Sequence, residues 1–253
     1  MIEAQGLTDA GRKRKGNEDS LGFQPGIGLA VVADGMGGHQ SGEVASQLAV
    51  ETFQDFIARA HRDRELTWPF GLDPHRTFEA NCLHTAIRLA NRSVYRQAAS
   101  REELSGMGTT IVAILAREGR LTFAGVGDSR AYLFRDDGLR QLTRDDSWIE
   151  AAIAQRLIDA AEREVHPFRH VLTKAVGLQD DVEFDVREEP LRQGDQILLC
   201  SDGLTTALSD QKIQDLLREH KADLEAACRA LVAAANEAGG PDNVTVVLAR
   251  PRG

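Results

Sequence analysis

The sequence predicts an α+β protein, with antiparallel sheets covered by helices and a helical insertion late in the chain. Three observations predict it. Short apolar runs outnumber helical patterns. Neighbouring runs follow one another at hairpin-type spacings, whereas parallel strands need long crossovers. Two long amphipathic stretches lie together in one early gap instead of alternating with strands. With 253 residues, 42% of them hydrophobic, the chain can bury a sizeable core, and it reads as one domain over residues 1–253. Aromatic residues make up only 5%, so that core must rest on Val, Leu, Ile and Ala.

The elements follow in order. Residues 29–33 form the first apolar run. Ser41 can cap the first helix, whose stripe is Val44, Ala45, Leu48, Ala49, Phe53, Phe56 and Ile57. Asp73-Pro74 is read as opening the second helix, with Phe78, Cys82, Ala86, Leu89, Ala90 and Val94 on its buried face. Strands at 109–116 and 121–126 come next. Runs at 130–134 and 139–142 flank Asp136-Asp137-Gly138, a hairpin signal. Residues 148–176 read as helical but break the strand series, which suggests an inserted flap at about 146–176. Strands at 182–186, 196–200 and 244–248, and helices at 210–219 and 224–237, complete the chain.

Composition excludes several functions. The net charge is -9 and the pI about 5.3, whereas a nucleic-acid binder needs a basic stripe to neutralise phosphates. Arg12, Lys13, Arg14 and Lys15 form the only short basic run, so nucleic acid is not an expected partner. Cys82, Cys200 and Cys228 contain no C-x-x-C pair and read as buried reduced thiols. The apolar runs are too short to cross a bilayer, and the first residues lack a secretory pattern. A cytoplasmic monomer without membrane association is therefore the expectation. There is no G-x-x-x-x-G-K-[ST] loop, G-x-S-x-G elbow or H-E-x-x-H pair.

The informative feature is where acids meet strand ends. Residues 29–33 run into Asp34-Gly35, 196–200 run through Ser201 into Asp202-Gly203, and 123–127 run into Asp128. Asp242-Asn243 stands directly before the run at 244–248. If that last strand is antiparallel to the others, all four acids lie at one end of the sheet, and Asp19 can join them. Taken singly, each Asp-Gly reads as a turn, and the argument rests on the set. Two like charges at ~4 Å cost about 4 kcal/mol at an effective dielectric of ~20, a penalty that divalent cations remove. Oxygen-only donors favour Mg²⁺ or Mn²⁺ over Zn²⁺. Gly35, without a side chain, lets its carbonyl approach a cation. Arg14, alone a solvated surface charge, can grip a phosphate through paired hydrogen bonds if it lies beside such a centre.

These pieces resemble the metal-dependent protein phosphatases of type 2C, especially their compact bacterial branch. The resemblance rests on six segments in family order: Arg14-x-x-Asn17-Glu18-Asp19, then Asp34-Gly35-Met36-Gly37-Gly38-His39, then Gly108-Thr109-Thr110, Gly127-Asp128-Ser129-Arg130, Ser201-Asp202-Gly203-Leu204 and Pro241-Asp242-Asn243-Val244-Thr245. It implies a β-sandwich of two antiparallel sheets flanked by helices, with the metals at one end. It implies hydrolysis of phosphoserine and phosphothreonine in other proteins by metal-activated water, without a phosphoenzyme. By that resemblance Asp34 bridges two Mn²⁺ or Mg²⁺ ions, the Gly35 carbonyl binds one, and Asp202 and Asp242 hold the other. Asp19 acts through water, Asp128 with Asp202 holds a third, weaker ion, and Arg14 binds the substrate phosphate. The resemblance also implies phosphorylated proteins as partners and an opposing Ser/Thr protein kinase. Two departures stand out: Met36 occupies the position where animal enzymes carry His, and Asp146 stands where bacterial relatives often have His. The acid role is not carried to His39. The alternatives are a regulatory or binding module on the same fold, and a phosphatase of a sigma-factor-pathway regulator.

Overall fold

The computed structural model describes residues 1–38, 41–63, 65–162 and 166–252. Eleven strands are described: β1 (Ile2–Asp9), β2 (Asp19–Gln24), β3 (Leu29–Met36), β4 (Gly108–Thr109), β5 (Ile111–Arg117), β6 (Arg120–Val126), β7 (Arg130–Arg135), β8 (Gly138–Gln141), β9 (Val186–Pro190), β10 (Gln196–Cys200) and β11 (Val244–Pro251). The α-helices among the described residues are α1 (Ser41–Arg62), α2 (Phe78–Ser100), α3 (Trp148–Ala154), α4 (Asp202–Ala207), α5 (Asp210–Glu219) and α6 (Leu224–Glu237). One sheet has the order β1-β11-β10-β7-β8. The other has β2-β3-β5-β6-β9, with β4 added against β3. Each registered pair is antiparallel.

The two sheets face each other, and helices cover both outer faces, which is the α+β arrangement expected. The burial shows why the strands read as unbroken apolar runs. In β3, Leu29, Val31 and Ala33 point to the α1–α2 layer, while Ala30 and Val32 point to the opposite sheet. In β10, Leu198 and Cys200 meet the α4–α6 layer, and Ile197 and Leu199 fill the space between the sheets. Successive side chains alternate faces, but both faces are covered, so neither can be polar. All three cysteines are free and buried, and burial pushes their thiols up to about 12. Among the described residues no helix is long and apolar enough to cross a membrane.

Several local expectations need correction. Ser41 is the first helical residue, and its hydroxyl donates to Gly38 O at 2.7 Å instead of accepting from the helix. Helix α2 begins at Phe78 and not at Asp73-Pro74, because Thr77 accepts from Ala80 N at 3.1 Å and forms the cap. The Asp73 turn is held instead by Asn81, whose Oδ1 accepts from Asp73 N at 2.9 Å. Phe78 is 42% exposed, its ring set edge-on against His61 and Trp68. The strand expected at 182–186 is displaced to Val186–Pro190, and Val182 and Phe184 pack under the α1–α2 layer. Charges at Arg187, Glu188 and Glu189 suit an edge strand, which must resist pairing with other chains. The hairpin signal holds: Asp136 (φ 51°) and Asp137 (φ 60°) form a two-residue loop between the paired Arg135 and Gly138, the twist a tight hairpin requires.

The flap is less helical than its sequence suggests. Among its described residues only α3 and a 3₁₀ turn at Ala160–Glu162 are helical. Ile149 and Ala152 bury α3, but Leu157, Phe168 and Val171 are exposed. A helix of this length is marginal without a packed face, so α3 stops where burial stops.

Candidate metal centre

The strand directions gather the acids. Strands β3 and β6 both pair antiparallel with β5, so both end at the same edge. Strand β11 runs antiparallel to β10, so the start of one meets the end of the other. Asp34 lies on β3 directly opposite Asp19 on β2. Asp128 follows β6, Asp202 opens α4 after β10, and Asp242 precedes β11. The sequence reading set the acids at the end of one sheet. They come instead from the same end of both sheets, which is why a cleft opens there.

The electrostatics record how close they are. Burial pushes Asp34 well above the usual carboxylate range, and the charges of Asp19, Asp202, Asp128 and Asp242 push it further. Burial pushes Asp19 up to about 6, although the neighbouring hydroxyls of Thr245 and Ser201 oppose the rise. Burial, then Asp202 and Asp145, push Asp128 up to about 7. Asp202 is raised by burial and by Asp242. The nearby Asp34 carboxyl partly offsets the rise at both Asp19 and Asp202.

A buried hydrogen-bond frame fixes Asp19. Its Oδ2 accepts from Ser201 Oγ at 2.7 Å, and that hydroxyl oxygen accepts from Thr245 N at 3.0 Å. Thr245 Oγ1 lies 2.6 Å from Thr8 Oγ1, which accepts from Asn17 Nδ2 at 2.8 Å. Asn17 Oδ1 closes the loop by accepting from Asp19 N at 3.1 Å. The other oxygen, Asp19 Oδ1, is buried with no hydrogen-bond partner. An orphaned carboxylate oxygen in a low-dielectric setting is costly, and a cation or ordered water satisfies it.

A second frame fixes Asp34. Its N donates to Thr110 Oγ1 at 2.9 Å, and its O accepts from Thr109 Oγ1 and Thr110 N, both at 2.8 Å. Thr110 Oγ1 in turn lies 2.7 Å from Ser129 Oγ, tying the Asp34 strand to the Asp128 turn. Gly35 has a reason for being glycine beyond its carbonyl: an added Cβ would stand 2.0 Å from Gly42 O in α1. Likewise a Cβ on Gly203 would stand 1.9 Å from Asn243 O. Both glycines let acid-bearing turns close on their neighbours.

Arg14 and Asp242 sit at the rim. Arg14 Nη2 donates to Asp242 Oδ2 at 2.7 Å, and the guanidinium is half exposed. Asn243 pins the loop that carries Arg14: its Oδ1 accepts from Glu18 N at 2.8 Å, and its Nδ2 donates to Ala10 O and Gly16 O at 3.0 and 2.9 Å. Asp146, at the flap root, grips the turn beside Asp128. Its N donates to Gly127 O at 2.8 Å, and its Oδ2 accepts from Gly127 N at 3.2 Å. Met36 ends β3. His39 lies outside the described residues.

The structure thus brings Asp19, Asp34, Asp128, Asp202 and Asp242 within electrostatic reach, with Gly35 among them and Arg14 on Asp242. Sequence reasoning quoted Ser201, Thr245, Asn243 and Thr110 inside the six segments without giving them tasks. Thr8 carried no signal, because its part depends on a strand pairing across most of the chain. Among the described residues no group of three or more His, Cys, Asp or Glu side chains is placed so that it could hold a metal ion. The donor chemistry nevertheless fits hard divalent cations: it is all oxygen, mutually repelling, and includes one orphaned carboxylate oxygen.

Comparison with known proteins agrees. The family described as Protein phosphatase 2C matches residues 10–245. The serine/threonine phosphatase stp of Listeria innocua is 35% identical over 253 residues, covering 98% of this chain and 95% of that protein. The serine/threonine protein phosphatase PstP of Mycobacterium tuberculosis is 39% identical over 242 residues, covering 96% of this chain and 43% of that longer protein. A crystal structure of the Mycobacterium tuberculosis phosphatase PstP/Ppp superposes with a TM-score of 0.85 at 36% identity, covering 100% of this chain and 99% of that one. The catalytic domain of PstP in complex with two manganese ions superposes with a TM-score of 0.82 at 35% identity, covering 98% and 97%. With matching that spans nearly its full length, the chain belongs to the protein phosphatase 2C family, in its bacterial Ser/Thr branch.

Proposed function

We propose that this chain is a metal-dependent protein serine/threonine phosphatase whose residues 1–253 act as one catalytic domain. The observation that supports it most is the gathering of buried carboxylates at the strand ends around Asp34, with Arg14 on Asp242 at their rim. Asp34, the Gly35 carbonyl, Asp202 and Asp242 would hold two Mn²⁺ or Mg²⁺ ions. Asp19 would reach them through water, and Asp128 with Asp202 would hold a weaker third. The manganese pair in the PstP structure supports the choice of ion. Bound ions of this kind neutralise the carboxylates and lower the pKa of water, so hydroxide becomes available near neutral pH.

The chain's own groups do the rest. Asp34 and Asp202 are held by strand ends and by a helix start, so they keep their positions as charge changes around them. Arg14 binds two phosphoryl oxygens and stabilises the charge that builds on them. Asp242 holds the Arg14 guanidinium in place through their hydrogen bond. Neither Ser129 nor Ser201 serves as nucleophile, since both hydroxyls are buried in hydrogen bonds. The substrates are phosphoserine and phosphothreonine proteins, set against a Ser/Thr kinase. The enzyme works as a cytoplasmic monomer.

The test is phosphate release from a phosphothreonine peptide with Mn²⁺, with and without excess EDTA. Release that EDTA abolishes and Asp34→Ala lacks is the expected result. Full activity of Asp34→Ala would remove the assignment.

A further inference from the structure

Helix α2 carries a buried polar residue that stands apart from the acids and their frames. Asn91 lies beside the buried Ile87, Ala90 and Val94, and it is 1% exposed. Asparagine is a poor helix former, and a buried amide is costly unless its donors and acceptor are matched. The returning arm of the flap matches them. Asn91 Oδ1 accepts from Gly177 N at 2.7 Å, and its Nδ2 donates to Gln179 O and Asp180 O at 3.0 and 3.1 Å. Leu178, Gln179, Asp180 and Asp181 are exposed, so this stretch of the arm takes little anchoring from apolar burial.

The arm passes this hold on to the centre. Val176, next to Gly177, is fully buried and exchanges two backbone hydrogen bonds with Thr109. Val176 N donates to Thr109 O at 2.8 Å, and Thr109 N donates to Val176 O at 2.9 Å. Thr109 lies opposite Gly35 in the β3–β4 pair, and its Oγ1 donates to Asp34 O at 2.8 Å. Each link from Asn91 to the Asp34-Gly35 turn is thus a chain neighbour, a strand pairing or a hydrogen bond. The arm also lies close on the helix: Gly177 has φ 91°, and an added Cβ would stand 2.2 Å from Val94 Cγ1. Arg88, almost one turn earlier in α2, donates to Asp181 at 3.2 and 3.0 Å, but that pair lies at the surface.

We propose that Asn91 is a positioning residue for the metal centre. By docking the returning arm on α2 it keeps Val176 against Thr109, and so holds Asp34 and the Gly35 carbonyl in place for the cations. The inference rests on the proposed metal-dependent reading and adds to it a residue that touches no acid of the centre. Groups behind metal ligands orient them, and their loss weakens metal binding without removing a donor. A purely structural Asn91 would instead lower the stability of the whole fold and leave the affinity of the folded protein for cations unchanged. Local and global loosening are distinguishable, because amides in different regions open independently.

The test uses the full chain, stripped of metal with EDTA and dialysed, as wild type, Asn91→Ala, Gly177→Ala and Arg88→Ala. Calorimetric titration with Mn²⁺ reads the affinity, and amide hydrogen exchange in the metal-free protein reads the local hold. Asn91→Ala should raise the Kd for Mn²⁺ about tenfold. Its exchange should quicken at Val176, Thr109 and Thr110, and not at Leu198 and Val247 in the central strands β10 and β11. Gly177→Ala pushes the arm off α2 with Asn91 intact and should show the same pattern, so it carries the test if Asn91→Ala does not fold. Arg88→Ala, which loses a surface pair, should leave both readouts near wild type. An equal effect from Arg88→Ala would place the hold at the surface pair and overturn the role of Asn91. A Kd left unchanged by Asn91→Ala and Gly177→Ala, or exchange that quickens equally at Leu198 and Val247, makes Asn91 structural only and overturns the proposal. The phosphatase reading is judged separately on the phosphothreonine peptide. A wild type that binds Mn²⁺ without releasing phosphate loses that reading and leaves this one standing; a wild type that binds no Mn²⁺ loses both.

Discussion

The strand ends and the flap meet at the same cleft but are built in opposite ways. Asp34, Asp128, Asp202 and Asp242 lie on or beside strands whose both faces are buried, and hydrogen-bonded frames fix Asp34 and, on the edge strand β2, Asp19. Among the described residues of the flap between Asp146 and Val176 the buried side chains are Ser147 at the cap of α3, Ile149 and Ala152 within it, and Ala175 and Val176 at the return. Leu157, Phe168 and Val171 face solvent. Chemistry that needs charges held at fixed separations sits on the rigid region, and the element that meets varied partners is the loosely packed one. The rigid region also stores an electrostatic cost.

Removing that cost should give the largest effects. Asp34→Asn keeps the shape of the side chain but deletes the charge that four other acids oppose. Activity should fall on the order of 10³-fold, because an element of transition-state stabilisation is gone. The metal-free variant should melt several degrees above the metal-free wild type, since function and stability conflict at such a site. Phosphate release and thermal melts in EDTA check the two halves. A variant that loses activity and also melts lower would mean that Asp34 is a structural rather than a functional residue.

That contrast also decides what the sequence shows. Strand ends were legible because an apolar run that stops at an acid is a local pattern, and the set of four stands out once read together. The partners of those acids were not. Thr8 joins the frame because β1 pairs with β11, with Thr8 opposite Thr245, and no local pattern reports a pairing that distant. Strand β1 itself was missed: its run Ile-Glu-Ala-Gln-Gly-Leu-Thr-Asp is mixed, with Gly6 at its centre, where a Cβ would come within 3.0 Å of Phe23. Strand β9 was displaced because charged residues form it at a sheet edge. The flap was read as more helical than it is because propensity was visible and the lack of a packing surface was not.

A smaller effect follows from protonation. In the metal-free protein Asp19 is raised to about 6 and Asp128 to about 7, each above an unfolded value near 3.8. The folded state therefore binds more protons than the unfolded state between about pH 4 and pH 7. Stability is present at the acid side of that window and is lost as pH rises through it. In EDTA the melting temperature should fall by several degrees from pH 5 to pH 7.5. With Mn²⁺ the dependence should weaken or reverse, because cation binding favours the deprotonated acids. Melts that rise with pH in EDTA would contradict a centre strained by its own charge.

The smallest effect should come from the joint between the two regions. Asp146 is bound to Gly127 by both its backbone and its side chain, and its O accepts from Thr173 N at 2.7 Å on the returning arm of the flap. Lys174 Nζ stands 3.8 Å from its Oδ1 and donates to Glu183 O at 3.1 Å. The two backbone hydrogen bonds survive substitution, so Asp146→Ala loses only the side-chain contacts, worth about 1 kcal/mol in such a setting. The Asp128 turn and the flap would then move independently. A peptide substrate should show a KM raised about threefold to tenfold with a smaller change in kcat, as expected when positioning is lost and the chemistry is kept. A small phosphoester that does not reach the flap should be affected less. Asp146→Asn, which retains an acceptor for Gly127 N, should recover most of the loss. Equal losses on peptide and small phosphoester would place Asp146 with the acids, as part of the rigid centre and not as its link to the flap.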